Sequence, residues 1–226
     1  RQAIINHTIT KGLDNSIPMK DSGIEWIGEI PEGWKLTKLI WDFKNIGSGT
    51  TPKKERNYYV NGTVSWVNSG DLNDSFIDST KNLLNQSVLN DYSILKLFPK
   101  NTVIIAMYGA TIGKLGILKE EAITNQACCN LSNSTKIDFK FLFYWFLAFR
   151  KIIISFAEGG GQPNINMELI KSLRLFYPSK KEQKQLVDFL DKQTMHMDKL
   201  ISKAKLQIKT LQEYRQSLIS SAVTGK

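Results

Sequence analysis

The sequence predicts an α/β (α+β) globular domain followed by a long C-terminal coiled-coil helix. Three observations carry that expectation. The runs VSWVNSGDL (64–72) and TVIIAMYG (102–109) have the β-branched cores of strands. FKFLFYWFLAFRKIIISF (139–156) is long and apolar enough for a buried helix. From Ser179 onward, apolar side chains recur at steps of three and four or their multiples, the seam of a helix that pairs with another.

Taken in order, residues 1–12 (RQAIINHTITKG) align without gaps on residues 215–226 (RQSLISSAVTGK), sharing Arg-Gln at the start, Ile at the fifth position and Thr at the tenth. The chain ends on the phrase that opens it, an internal repeat with a period of about one domain. Residues 13–34 are punctuated by Gly, Pro and Asp and read as a linker, with Trp26 and Trp34 placed around Pro31. Residues 35–178 read as one domain. In it NSGDL and NSTK supply turns, and Gly159-Gly160-Gly161-Gln162-Pro163-Asn164 makes a strong break. MELIKSLRLFYP (167–178) follows as a short helix or turn and then a strand ending at Pro178.

The last segment, 179–226, opens with Ser179 as N-cap and Glu182 at N3, a capping box. Leu186, Leu190, Met197, Leu200, Ala204, Leu211, Tyr214 and Leu218 form its seam, with Gln193 and Gln207 as polar gaps that set register. A helix of ~40 residues is roughly 60 Å long. So narrow a stripe needs a partner helix; a helix packed flat on its own domain would show a wider apolar face.

The 226 residues include 42% hydrophobic and 10% aromatic side chains, enough for a core and too many for a disordered chain. A formal net charge of +9 favours a polyanionic partner, nucleic acid before membrane surface, although lysine-rich chains are also ordinary in AT-rich genomes. Cys128 and Cys129 are adjacent and are the only cysteines. Neighbours do not readily bridge each other, and two thiols cannot close a four-ligand zinc site, so they read as buried small apolar residues in a reducing cytoplasm. There is no signal peptide and no apolar run of membrane-spanning length, so a cytoplasmic location without a membrane partner is expected. The chain begins at Arg1 rather than Met and is expected to be a fragment or a trimmed sequence.

A search for chemistry finds little. Gly109-Ala-Thr-Ile-Gly113-Lys114 has the look of a phosphate loop, but three residues separate its glycines, and Leu115 stands where Ser or Thr would hold magnesium. It reads instead as a turn that offers Lys114 to a DNA phosphate, or as a plain connection between strands. His7 and His196 lie in no triad or metal pattern. Asp71 and Asp74 read as turn aspartates. The Asn/Asp-Pro-Pro-aromatic motif of amino-methyltransferases is absent, and Gly159 to Gly161 is not followed by a helix start. No catalytic residue, metal ligand or cofactor is assigned to the chain.

Features suited to DNA are more plentiful. The loop Thr50-Thr51-Pro52-Lys53-Lys54-Glu55-Arg56-Asn57-Tyr58-Tyr59 combines hydroxyls, cations and aromatics. Cations and hydroxyls position a protein on phosphates, and Arg, Lys, Asn and Gln read base edges. Asn68, Ser69, Tyr108, Gln162 and Asn164 add polar groups at strand ends and loops. Each of these residues is also an ordinary solvated loop residue or turn former; as a set on one domain they are candidates for DNA contact.

The order IPEGW (30–34), GTTPKKERNYY (49–59), VSWVNSGDL (64–72), LFPKNTVIIAMYGATIGKLGIL (97–118), ITNQACCNL (123–131), GGGQPNINMELIKSLRLFYPSKKEQKQLVDFLD (159–191) and EYRQSLISSAVTGK (213–226) resembles the specificity subunit of type I restriction–modification systems. The resemblance covers essentially the whole chain. It implies a target recognition domain at 35–178, a spacer helix at 179–226 that dimerises and docks methyltransferase subunits, and the tail of a preceding conserved helix at 1–12. In that family two recognition domains, spaced by two antiparallel helices, each read half of a split DNA site. S-adenosylmethionine, ATP and magnesium belong to the methyltransferase and translocating nuclease partners. This chain holds one recognition domain and one complete helix. It reads either as half of a two-domain subunit or as a natural half-subunit, which would form a homodimer through the long helix. Against this reading of a non-catalytic DNA reader stand two others. One is a methyltransferase or nuclease in its own right, which the missing motifs disfavour. The other is a coiled-coil adaptor that binds protein without DNA specificity of its own.

Overall fold

The computed structural model describes residues 1–53, 57–157 and 163–225. It comprises two units, Gln2–Val187 and Asp188–Lys226 with Arg1. The chain begins with α1 (Gln2–Lys11) and the antiparallel pair β1 (Met19–Asp21) and β2 (Glu29–Pro31), so the expected linker contains a small hairpin. Then come β3 (Lys35–Lys38), the single turn α2 (Leu39–Asp42), β4 (Phe43–Gly47), β5 (Val64–Val67), β6 (Ser75–Ile77), β7 (Asn82–Leu84) and the short α3 (Val88–Asp91). These are followed by β8 (Val103–Ala106), β9 (Leu115–Leu118), β10 (Ile123–Thr124) and β11 (Cys128–Ser134). α4 (Phe139–Ser155), α5 (Met167–Ser172), β12 (Arg174–Tyr177) and α6 (Lys180–Thr224) complete it.

In the Gln2–Val187 unit the largest sheet runs β4-β11-β8-β9-β6, antiparallel except where β6 pairs with β9. A second sheet runs β10-β5-β7, with β10 and β5 parallel. One apolar cluster joins the two sheets, drawing Val67 from β5, Ile104 and Ala106 from β8, Leu118 from β9 and Cys128 from β11. β5 and β8, like β12, are strands expected from the sequence. β11 carries no alternation to betray it, because this central strand is covered on both faces, and five consecutive residues from Cys128 to Ser132 are buried.

Both cysteines sit in β11 and are fully buried. Burial pushes each thiol up to about 12 from an ordinary value of 9.0. A thiol held neutral in the fold ionises in the unfolded chain above its ordinary value, so this stability is complete below pH 9 and is lost as pH rises towards 12. At pH 8 neither cysteine is expected to react with a thiol-specific disulfide reagent until denaturant is added; rapid labelling of the native protein would contradict their burial.

α4 is the expected buried helix. Asp138 caps it by accepting from the backbone N–H groups of Lys140 and Phe141 at 2.8 and 3.2 Å. Phe141 through Leu147 are all buried, as are Phe149 and Ile153. The Trp145 ring lies 6.1 Å from Trp26, 5.0 Å from Phe149 and 6.5 Å from Phe176, which ties the supposed linker, α4 and β12 into one aromatic core. α1 packs on α4, buries Ile5 and Ile9, and donates from Gln2 Nε2 to the Leu147 carbonyl at 2.9 Å. Arg150 interrupts the apolar run and forms a bidentate pair with Asp74 at 2.6 and 3.0 Å. Asp74 Oδ1 also accepts from the Leu115 N–H at 3.0 Å, so this turn aspartate anchors a turn to a helix.

α6 begins as expected at Ser179, whose Oγ accepts from the Glu182 N–H at 3.3 Å. The Glu182 carboxylate accepts from Trp34 Nε1 at 3.0 Å, so one half of the capping box is replaced by a tie to the hairpin segment. The buried Gln183 accepts from the Asp138 N–H at 2.8 Å and donates to the Lys136 and Pro178 carbonyls at 3.0 Å. One satisfied amide thereby fixes the start of α6 against the cap of α4.

The helix continues through the second unit. Of the eight expected seam residues, Leu186 lies in the Gln2–Val187 unit and is buried there, which corrects the expectation that it pairs with a partner helix. Met197 is half-buried. Leu200, Ala204, Leu211, Tyr214 and Leu218 are exposed, and Ile201 and Ile208 lie one heptad apart beside them, also exposed. Among the described residues, no helix is long and apolar enough to cross a membrane.

Candidate nucleic-acid interface

The loops that follow β5, β10 and the C-terminal end of β8 are stitched together with the segments 48–53 and 163–166. Asn125, just after β10, is the hub. Its N–H donates to the Val67 carbonyl at 2.9 Å and its carbonyl accepts from the Gly49 N–H at 3.3 Å. Its side-chain Nδ2 donates to Asn68 Oδ1 at 3.1 Å, while its Oδ1 accepts from the Ala127 N–H at 3.1 Å. On the other side the Met107 N–H donates to the Ala127 carbonyl at 2.8 Å, and the Ile165 N–H to the Met107 carbonyl at 2.7 Å. Tyr108 and Asn164 form an isolated antiparallel bridge. Gly49 permits the closest approach: a Cβ there would lie 1.6 Å from the Thr124 carbonyl oxygen.

This edge collects many of the residues expected to face DNA. Thr51 is exposed, and its Oγ1 donates to Gln126 Oε1 at 2.6 Å; Thr50 is half-buried beside it. Lys53 has an exposed side chain, and its backbone N–H donates to Tyr92 Oη at 3.0 Å. Asn57 is exposed in the left-handed region, at φ 52°. Asn68 and Ser69 are half-buried at the end of β5; the Asn68 N–H donates to Asp71 Oδ2 at 2.9 Å, forming a local turn. Tyr108 and Lys114 are half-buried at the two ends of the Gly109–Gly113 turn, and Asn164 is exposed. In that turn Gly113, at φ +73°, lies where a Cβ would come 2.8 Å from Ile154 Cδ1 of α4. The turn is thus packed closely against α4. Lys54, Arg56 and Gln162 lie outside the described residues.

Tyr58 requires a correction. It is buried in a cluster with Val64, Trp66, Leu84 and Ile123, and its Oη donates to Asp91 Oδ2 at 2.5 Å. It holds the 48–59 loop to the second sheet and is not a surface group. Sequence reasoning also passed over Asn125 and Gln126. Their only trace is the Asn-Gln pair between two short apolar runs in ITNQACC, a turn pattern. Among the described residues, no group of three or more His, Cys, Asp or Glu side chains could hold a metal ion.

Comparison with known proteins bears on this edge. Residues 31–210 match the family model described as the type I restriction modification DNA specificity domain. The chain is 28% identical over 239 residues to the specificity subunit of the type I restriction enzyme MjaVIII of Methanocaldococcus jannaschii, covering 100% of this chain and 53% of that protein. It is 23% identical over 186 residues to the EcoR124I/EcoR124II specificity subunit of Escherichia coli, covering 79% of this chain and 43% of that protein. Its fold is similar to the HsdS subunit from Thermoanaerobacter tengcongensis, with a TM-score of 0.62 at 14% identity over 88% of this chain and 43% of that one. A structure described as a type I R-M system in complex assembly and conformational transition gives a TM-score of 0.64 at 15% identity, over 88% of this chain and 46% of that one. The chain thus spans about half the length of the relatives it matches.

Proposed function

Because the chain belongs to the family of type I restriction–modification DNA specificity domains, we propose that it binds double-stranded DNA sequence-specifically and reads one half of a bipartite site. The observation that carries this reading is the hydrogen-bonded loop edge around Asn125, which sets the exposed Thr51, Lys53, Gln126 and Asn164 on a common framework. The cations contact phosphates and the amides and hydroxyls read base edges. The chain acts without a catalytic centre or cofactor of its own, in the cytoplasm. Methyltransferase subunits carrying S-adenosylmethionine, and restriction subunits using ATP and magnesium, act on the site it selects. The exposed stripe of α6 from Leu200 to Leu218 pairs with a second long helix, that of another half of the same subunit or of a second copy in a homodimer.

The test compares the full chain on a selected duplex and on its scrambled counterpart at one salt concentration. Tighter binding to the selected duplex is expected, and roughly 10³-fold or more is typical of specific readers. Equal binding at every salt concentration overturns the reading and favours an adaptor whose α6 stripe serves protein contacts alone.

A further inference from the structure

We infer that Gln126 is a specificity-determining residue that reads an adenine in the major groove, with Asn125 as its positioning residue. The inference rests on the DNA-reading function proposed above and assigns a base to one side chain.

The turn between β10 and β11 is among the most constrained pieces of the loop edge. Asn125 uses its backbone N–H, its backbone carbonyl and both ends of its side chain on Val67, Gly49, Asn68 and Ala127. Ala127 is buried, and its carbonyl accepts from Met107. Gln126 sits between these two anchored residues and is itself exposed, so a fixed backbone presents its amide at the surface. Thr51 engages that amide. Oε1 accepts from Thr51 Oγ1 at 2.6 Å, which leaves Oε1 a second lone pair and leaves both protons of Nε2 to give.

That amide matches one base edge. In the major groove adenine offers an N6 donor beside an N7 acceptor, and a glutamine amide meets both at once. Guanine offers two acceptors there and would oppose Oε1. Cytosine offers a donor with no neighbouring N7. Thymine offers an acceptor and a methyl group. Thr51 tethers the amide through Oε1, an orientation in which Nε2 can donate to N7 while Oε1 accepts from N6. The pair is therefore held before DNA arrives, which lowers the ordering cost of binding.

The test selects duplexes from a randomised library with the full chain and with Gln126→Ala, Gln126→Glu and Thr51→Val, each checked for unchanged thermal unfolding. The wild-type chain is expected to return a motif with a fixed adenine at one position. Gln126→Ala should lose roughly 5- to 150-fold in discrimination at that position and leave the others intact. Gln126→Glu should shift the same position towards cytosine, whose N4 donates to a carboxylate. Thr51→Val should relax the position partially. A wild-type motif that survives unchanged in Gln126→Ala, or that changes at a base other than adenine, overturns the inference and leaves the DNA-reading function standing. No motif from the wild-type chain overturns both.

Discussion

Replacing Trp145 with alanine is expected to destabilise the Gln2–Val187 unit by about 3–5 kcal/mol, measured by equilibrium denaturation. Trp145 is fully buried on α4, and its ring is shared by Trp26, Phe149 and Phe176. The truncation opens a cavity where three separate stretches of chain meet, so little can collapse to fill it. A domain of this size is stable by only about 5–15 kcal/mol, so the variant should fall near the limit of folding at physiological temperature. Two controls give the result its meaning. Trp145→Phe keeps most ring contacts and removes an indole N–H that, among the described residues, is buried without a hydrogen-bond partner, so its loss should be much smaller. Trp41→Ala removes a ring that is 70% exposed and touched by Lys38, and should change stability by less than about 1 kcal/mol. Equal losses for Trp145→Ala and Trp41→Ala would contradict the central place of α4.

The second large effect is expected on DNA affinity. Combining Lys53→Glu, Lys54→Glu and Arg56→Glu lowers the formal charge from +9 by six, to +3. If all three cations neutralise phosphates, the slope of log affinity against log salt should become shallower by about 2.7, since each contact contributes about 0.9. Binding should be weakened most at low salt and converge with the wild type at high salt. Fold should be unaffected, because the neighbouring anchors Tyr58 and Tyr59 are left in place and the Lys53 side chain is exposed. The matched control is Lys203→Glu, Lys205→Glu and Lys209→Glu on the exposed part of α6, which reaches the same net charge. A control that flattens the slope equally would mean that bulk charge, and not the 48–59 loop, drives association.

Much of the framework was legible in the sequence because its strongest elements follow simple periods. β5, β8, α4, α5, β12 and α6 all coincide with runs whose apolar spacing or capping residue is plain, such as Ser179 before α6. Among the strands that escaped notice, Ile123–Thr124 is very short and β11 is buried along five consecutive residues, and period-two alternation is lost in both cases. The hairpin within 13–34 was hidden because Gly and Pro mark a tight turn and a flexible linker alike. The site was read less well for a different reason. Composition finds polar loops but cannot tell which face of a loop is inward, so Tyr58 looked like its exposed neighbours. Asn125 matters through three hydrogen bonds to residues far away in sequence, those to Val67, Gly49 and Asn68, and no local pattern records them.

The bonds that assemble the loop edge have a further consequence. Those from Gly49, Asn125, Met107 and Ile165 to their neighbours join backbone N–H to backbone carbonyl. Such bonds are indifferent to the side chains at the loop tips. Gln126, Thr51 and Asn164 can therefore be exchanged by mutation without dismantling the scaffold that presents them, while Gly49 and Asn125 cannot. The edge is built to be evolvable: its alphabet can be rewritten one letter at a time while the page that holds it stays flat.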